Sequence, residues 1–350
     1  MPKELNKIYS PSEVEEKWYK CWENEDAFKP TNNESSDSFT IMIPPPNVTG
    51  ILHIGHILNN TIQDVLVRRA RMMGKNTLWL PGTDHASIAT ESKVTKMLND
   101  KNINKYDIGR EEFLNHALKW KEKYGGTILK QLKRMGASCD WSKTAFTMDP
   151  NYNKSVINAF VQLYNDGLIY RGERMVNWDP IGLTAVSDEE VIYKETNGKL
   201  WHFKYPIKDT NEYLIVATTR PETMLGDTGI AINPKDKRYK KLIGKTVLLP
   251  IVNREIPIFA DDYVDMEFGT GCVKVTPAHD PNDFEMGKRH NLDIINIMNP
   301  DASLNNNVPS EYSKLDRYDA RKKVVEDLDS LGLLDKIEDY ENSVGYSERT

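Results

Sequence analysis

The sequence predicts an α/β protein: the first half of a split, doubly wound parallel sheet, with a strand-rich α/β domain inserted into it. Three observations predict this. Residues 38–80 read as strand, helix, strand with a glycine-containing turn after the first strand, the pattern of a parallel βαβ unit. From Lys199 onward the texture changes to short apolar or alternating strands separated by turns. The first unit offers only two parallel strands, whereas a stable doubly wound sheet needs about five or six, and nothing after Gly198 reads as its completion.

The elements follow in order. SPSEVEEKWYKCWENEDAF opens with a helix, with Ser10 as N-cap, Pro11 at the first helical position and Glu13 completing a capping box. TNNESSDS is a polar linker, and SFTIMI (Ser38 to Ile43) is an apolar strand that Pro44, Pro45 and Pro46 end, because proline cannot donate to a ladder. From about Gly55 to Met73 the spacing is helical: Ile54, Ile57, Leu58, Ile62, Val65 and Leu66 share one face, Arg68, Arg69 and Arg71 lie largely off it, and Gly74 is the C-cap residue. NTLWL (Asn76 to Leu80) is the second strand. Helices are expected at Arg110 to Arg134 and Lys154 to Asp166. The later strands are KLWHFKYPI, EYLIVATTR, GIAI, KTVLLPIV, IPIFA, GCVKVTP and IINIM, interrupted by short helices near Asn282 to His290 and Tyr318 to Leu331. The chain ends at SVGYSERT without a closing element, which reads as the N-terminal part of a longer protein.

Composition narrows the function classes. A chain of 350 residues is expected to hold about two or three domains. Hydrophobic residues make up 39% and charged residues 28%, an ordinary soluble composition. No apolar run reaches the ~18 residues of a membrane span, and MPKELNKIYS lacks a signal-peptide core, so a cytoplasmic location is expected. Cys21, Cys139 and Cys272 are far apart, which fits a reducing compartment and argues against a disulfide framework or zinc knuckle. The formal net charge of −6 excludes a whole-chain basic footprint for nucleic acid. Lys119 to Arg134 is either a local basic face or an ordinary solvated helix face.

PPPNVTGILHIGHILNN places His53 and His56 at a helix start, and PGTDHASIAT follows the second strand. Ligands of parallel sheets sit at the carboxyl ends of strands, so both motifs belong to one rim. A helix N-terminus supplies free N–H groups and partial positive charge, which suit a phosphate. The imidazoles are placed to donate to phosphate oxygens, and Gly55 leaves room for a flat base. The alternative is two surface histidines at a turn.

HxGH after a strand and PPPNVTG resembles the signature of class I aminoacyl-tRNA synthetases. With GTDHASIAT at 82–90 the resemblance is to the valyl-tRNA synthetases in particular. NWDP (177–180), ATTRPET (217–223) and GTGCVKVTPAHDPNDFEMGKRH (269–290) resemble that family in the same order, over nearly the whole chain. The resemblance implies a Rossmann-like catalytic domain split by an editing domain. It implies residues 1–37 as an N-terminal helical segment, 38–150 as the first catalytic half, 151–197 as a connection, 198–341 as the editing domain and 342–350 as the start of the return. It implies ATP with Mg2+, valine and tRNA(Val) as ligands, and a monomeric full-length enzyme that charges tRNA and hydrolyses Thr-tRNA(Val). His53, Gly55 and His56 would bind ATP, with the histidines catalytic. Pro45 and Asn47 would line the valine pocket, and Asp84 would hold the substrate ammonium or cap the following helix.

A hydrophobic pocket rejects an added hydroxyl poorly, and the valyl enzyme is the standard illustration of that limit, so a hydrolytic site for threonine is needed. For it the resemblance implies Thr219, Arg220, Thr223, Phe268, Lys274, Thr276, His279, Asp280 and Asp283. Arg220 would contact the RNA end, Asp283 would hold the amino group, Asp280 would read the threonine side chain, and Lys274 with Thr276 would line the pocket. The alternatives for His279, Asp280 and Asp283 are a turn with a helix cap, or a metal site. Many relatives carry cysteine pairs where this chain has Asp179, Gly182, Tyr346 and Arg349, so no structural zinc is expected. Ser87 stands where the family has glycine, and the KMSKS loop is absent. The chain is thus expected to edit rather than to aminoacylate, and to associate through exposed sheet edges. The other readings are an isoleucyl-type fragment, a tRNA-binding or deacylase module without ligase activity, and a nucleotidyltransferase of another HxGH family.

Overall fold

The computed structural model describes residues 8–31 and 37–348. Most of the expected linker, the first seven residues and Arg349 lie outside them. The chain divides into two compact units on either side of Arg171.

The first unit holds α1 (Pro11–Asn24), β1 (Ser38–Met42), α2 (Ile54–Met72), β2 (Asn76–Leu80), β3 (Gly82–Thr83), α3 (Ser87–Asn99), α4 (Lys105–Arg134), β4 (Ala145–Phe146) and α5 (Pro150–Asn165). β1 and β2 pair in parallel, from Ser38 opposite Asn76 to Met42 opposite Leu80, with α2 as the crossover. β3 and β4 form a second short parallel pair. Ile43, Val48, Val67, Trp79, Ile128, Leu132, Ala137 and Cys139 make the core.

Several local expectations change. Pro11 does start α1, but the Ser10 side chain makes no cap bond, so the capping box does not form. Gly74 follows α2 at φ +76, as a C-terminal glycine should. The α2 periodicity marks the helix but not its buried side. Ile54, Leu58, Ile62 and Val65 are exposed, Ile54 by 78%, while Asn60, Val67 and Ala70 face inward. Arginines accompany them there: Arg71 donates to Ser138 Oγ at 2.6 Å and to the carbonyls of Phe28 and Ser138 at 3.1 and 2.8 Å. Long arginine stems run along a packed face while their heads find carbonyls, so charge is a poor guide to the outer side. α3 is the helix expected after Asp84, and it extends to Asn99. Gly109 (φ 73, ψ 173) breaks α4, so its regular part begins where expected, near Arg110. The Lys119 to Arg134 charges are dispersed: Lys133 pairs with Glu23 at 2.6 Å, Arg134 with Glu15 at 3.6 Å, and Lys121 sits 4.6 Å over the Phe146 ring.

The second unit holds β5 (Asn177–Asp179), β6 (Thr184–Val186), β7 (Val191–Pro206), β8 (Tyr213–Thr218), β9 (Gly229–Ile232), β10 (Thr246–Leu249), β11 (Arg254–Ala260), β12 (Cys272–Val275), α6 (Pro281–His290), α7 (Arg317–Ser330) and β13 (Leu334–Ser347). One sheet has the order β13-β7-β8 and is antiparallel; a second has the order β10-β11-β9-β12, with β11 parallel to β9; β5 and β6 form a separate antiparallel pair. Phe203, Tyr205, Leu214, Val216, Ile230 and Ile256 lead the larger core, and Ala231, Val264, Val275 and Met286 form a smaller one. IINIM is not a strand. It is an irregular segment whose one ladder-like contact is the isolated Met298–Leu304 bridge. β13 is the opposite case, since residues 342–347 continue a long antiparallel ladder with β7 instead of leaving the unit. Among the described residues no helix is long and apolar enough to cross a membrane.

α6 packs on the loop before it with no spare room. A Cβ on Gly287 would lie 2.8 and 2.9 Å from the Pro277 ring. Alanine gains about 1 kcal/mol of helix propensity over glycine, but overpacking against a rigid ring costs about 1–3 kcal/mol. Gly287→Ala is therefore expected to lower the urea midpoint; a raised midpoint would show that the seam between α6 and Pro277 is loose.

Candidate functional site

In the first unit, β1 ends where Ile43 N–H donates to Leu80 at 2.9 Å, and the three prolines carry the chain past the strand ends. There the two motifs zip together. Val48 N–H donates to the Asp84 carbonyl and Asp84 N–H to the Pro46 carbonyl, each at 2.9 Å, making an isolated parallel bridge between Asn47 and Asp84. The expected common rim is thus a backbone fact. Pro45 is half-buried and Asn47 exposed.

His53 is the N-cap of α2, with extended backbone. Its Nδ1 accepts from Gly55 N–H at 3.2 Å, and Nδ1 of His56 accepts from His53 N–H at 3.2 Å. The reciprocal pair does what Ser and Glu do in a capping box. The ring centroids are 4.0 Å apart. With both Nδ1 atoms accepting, the neutral rings carry their proton on Nε2, which remains a donor. Partial burial, then the neighbouring His53, hold the His56 pKa below the usual histidine value. A Cβ on Gly55 would come within 3.1 Å of the His53 ring, so the glycine makes room first for the imidazole that folds over it.

Asp84 does not cap α3. The N-cap is Ala86, in left-handed backbone at φ 47. Asp84 Oδ1 instead accepts from Ala86 N–H at 2.9 Å and Thr147 Oγ1 at 3.2 Å. Among the described residues Oδ2 has no bond, and the side chain is partly exposed. Ser87 is exposed at the start of α3, so the departure from glycine meets no packed neighbour.

In the second unit, the TTRPET turn after β8, the end of β12 and the start of α6 converge. Lys274 Nζ donates to Thr223 Oγ1 at 3.0 Å, Asp227 Oδ1 at 2.9 Å and Thr276 Oγ1 at 2.6 Å, which uses all three of its protons. Thr276 Oγ1 donates to Asp227 Oδ1 at 2.6 Å, and Tyr205 OH to Asp227 Oδ2 at 2.8 Å. Asp227 is fully buried, and burial lifts its carboxyl above the usual range against the pull of Lys274 and these donors. The sequence reading missed Asp227, which as a lone acid after glycine gives no pattern to find. It also changes the expected roles of Lys274 and Thr276, which form a closed network beneath the surface instead of lining an open pocket.

Asp283 stands on the first turn of α6, 8% exposed, with Oδ2 accepting from Thr276 N–H at 2.8 Å. Burial pushes its pKa up to about 6, opposed by Lys274 and the Thr276 N–H. Asp280 is the helix cap, accepting from Asn282 and Asp283 N–H at 2.8 and 3.2 Å, so the cap alternative describes it. His279 Nε2 accepts from Ile297 N–H at 3.1 Å and so pins the IINIM segment. Burial, then Arg220 and Lys274, drive its pKa down to about 3. His279 Nε2 and Asp280 Oδ1 are thus engaged within the protein, and among the described residues there is no cluster of three or more His, Cys, Asp or Glu that could hold an ion. Arg220 reaches the His279 carbonyl at 2.7 Å and stays partly exposed. Its neighbour Glu222 is buried and held by Arg321 at 2.7 and 2.8 Å. Thr219 is half-buried beside Arg220. Phe268 joins none of these bonds and is 57% exposed.

Residues 17–327 match the model of the tRNA synthetases class I (I, L, M and V). The chain is 58% identical over 347 residues to the valine–tRNA ligase of Parabacteroides distasonis, covering 99% of this chain and 40% of that protein. It is 56% identical over 346 residues to that of Fusobacterium nucleatum, covering 99% and 39%. It therefore spans about two fifths of the length of these relatives. A LeuRS-tRNA-LeuAMS ternary complex from Agrobacterium radiobacter superposes with a TM-score of 0.45 at 18% identity, over 97% of this chain and 49% of that one, too distant to bear on the site. A match over this much of the chain makes it a member of the class I tRNA synthetase family.

Proposed function

We propose that this chain is the part of a valine–tRNA ligase that begins its synthetic site and carries its editing site. The observation that supports the first half best is the His53–His56 pair: each ring caps the helix through Nδ1 and keeps an Nε2–H donor for the phosphates of ATP. Mg2+ enters in this reading with the nucleotide phosphates. Asp84 offers Oδ2 to the ammonium of valine, beside Pro45 and Asn47. The cytoplasm is the compartment this reading implies.

In the second unit we assign hydrolysis of Thr-tRNA(Val). The water oxygen bonds to the ester carbonyl carbon, the bond from that carbon to the terminal ribose oxygen breaks, and the ribose oxygen leaves with a proton. Asp283 binds the free ammonium of the threonyl group, Arg220 holds the RNA end, and Lys274 with Thr276 fixes the backbone that orients Asp283.

Two outcomes are expected. The chain should release threonine from Thr-tRNA(Val) faster than valine from Val-tRNA(Val), and Asp283→Ala should abolish that preference, read as initial rates with labelled amino acid. No release by the folded chain would remove the editing assignment and leave a tRNA-binding module. The second concerns pH. The folded value of about 6 lies above the ~3.9 of an unfolded aspartate, so the folded state holds its proton longer. The penalty for ionising Asp283 is absent below about pH 4, grows through the window and is complete above about pH 6, where it reaches about 2–3 kcal/mol. Asp283→Asn should thus be more stable than the wild type at pH 8 and equal to it at pH 4 in urea unfolding; equal midpoints at pH 8 would show that the carboxylate ionises freely.

A further inference from the structure

The chain is acidic overall, at −6, yet residues 235–245 carry six basic side chains and a single acid. Lys235, Lys237, Lys240, Lys241 and Lys245 are all exposed. Lys235 lies 3.9 Å from Asp262, while Lys237, Lys240, Lys241 and Lys245 have no ion pair among the described residues. The one acid, Asp236, is buried and held by Arg238 at 2.6 Å. Most other lysines of the unit do have a partner: Lys199, Lys204, Lys208, Lys322 and Lys336 each face a carboxylate, while Lys194 lies over the Tyr346 ring. A group of like charges left without counter-ions is a binding surface for an anion or an unbalanced repulsion.

The segment is also rigid, and it builds the loop that presents Phe268. Tyr239 and Leu242 pack against the core, and Gly244 N–H and Ile258 N–H bond across to Ile258 and Lys245 at 2.9 and 2.8 Å. Arg238 donates to the Met266 carbonyl at 2.8 Å and Tyr239 OH to the Thr270 carbonyl at 3.0 Å. Gly271 sits at φ +75, and a Cβ there would crowd the Arg238 guanidinium and lie 3.0 Å from the Met266 carbonyl, so glycine is what lets the loop close on the segment. The exposed Phe268 ring is therefore carried on the same frame as the lysines. Ammonium groups tracking a backbone beside an aromatic face are what a nucleic acid strand requires, phosphates on one and a base on the other.

We propose that residues 235–245 are a docking surface for the phosphate backbone of the tRNA whose end enters the second-unit site. This rests on the editing assignment. Compare the chain with a triple variant, Lys237→Gln, Lys240→Gln and Lys241→Gln, and with a control that removes three charges elsewhere in the same unit, Lys194→Gln, Lys322→Gln and Lys336→Gln. Binding of uncharged tRNA(Val) is followed by fluorescence anisotropy between about 50 and 200 mM salt. The segment variant should bind about tenfold or more weakly, and its slope of log affinity against log salt should shrink by about 2–3. Its Thr-tRNA(Val) hydrolysis should show a raised KM with kcat retained. An unchanged slope, an equal loss in the control, or no tRNA binding by the wild type would overturn the proposal. Absent hydrolysis with the slope difference intact would instead overturn the editing assignment alone.

Discussion

The second unit depends on a charge pair that water does not reach. Asp227 and Lys274 meet at 2.9 Å, the carboxylate fully buried. Attraction in such a place is offset by desolvation, so the pair adds little net stability against an apolar substitute, yet removing one partner strands the other at about 3–5 kcal/mol. What the pair contributes is arrangement. Its ligands come from β7 (Tyr205), the turn after β8 (Thr223) and the end of β12 (Thr276), and one arrangement of these satisfies every donor. The Thr276 N–H that Asp283 accepts is fixed by that arrangement, so the position of Asp283 is set by groups buried beneath it.

The first unit uses the opposite device. Its rim is held by main-chain bonds between Pro46, Val48 and Asp84, which leave side chains free to face outward. Thr147 then steadies Asp84 Oδ1 from a third segment. In a parallel sheet the groups that can face a ligand sit on the short connections at the strand ends, which is where Asn47 and Asp84 lie.

How much of this was legible follows from what each signal measures. The βαβ unit was readable because two apolar strands and a 3.6-residue period are local properties. The buried side of α2 was not, because periodicity reports two unlike faces without saying which one is covered; here Asn60 and Ala70 face the core while Leu58 does not. β13 escaped because an exposed ladder rich in Lys336, Glu338 and Asp339 has the composition of a loop, and only pairing with β7 makes it a strand. The motifs name Arg220, Lys274 and Asp283, and in the fold Arg220 bonds the His279 carbonyl while Lys274 and Asp283 both bond to Thr276. They gave no sign of Asp227, whose partners Lys274 and Thr276 lie 47 and 49 residues away, nor that His279 is occupied as a backbone anchor, whereas the cap at Asp280 was one of the readings that PND before FEMGKRH offered.

The reciprocal caps at His53 and His56 explain a choice of residue type. Serine or aspartate caps a helix well, but each turns only acceptor oxygens or a mobile hydroxyl towards an approaching anion, and aspartate repels it. Imidazole is bifunctional across its width: one edge closes the helix while the other presents a proton about two ring bonds away. The first turn of α2 and the Nε2 face proposed for the nucleotide are consequently one object. Deleting either ring frays the helix start as it removes a donor, whereas asparagine, which mimics Nδ1 with its carbonyl oxygen and has nothing in place of Nε2, would divide scaffold from chemistry.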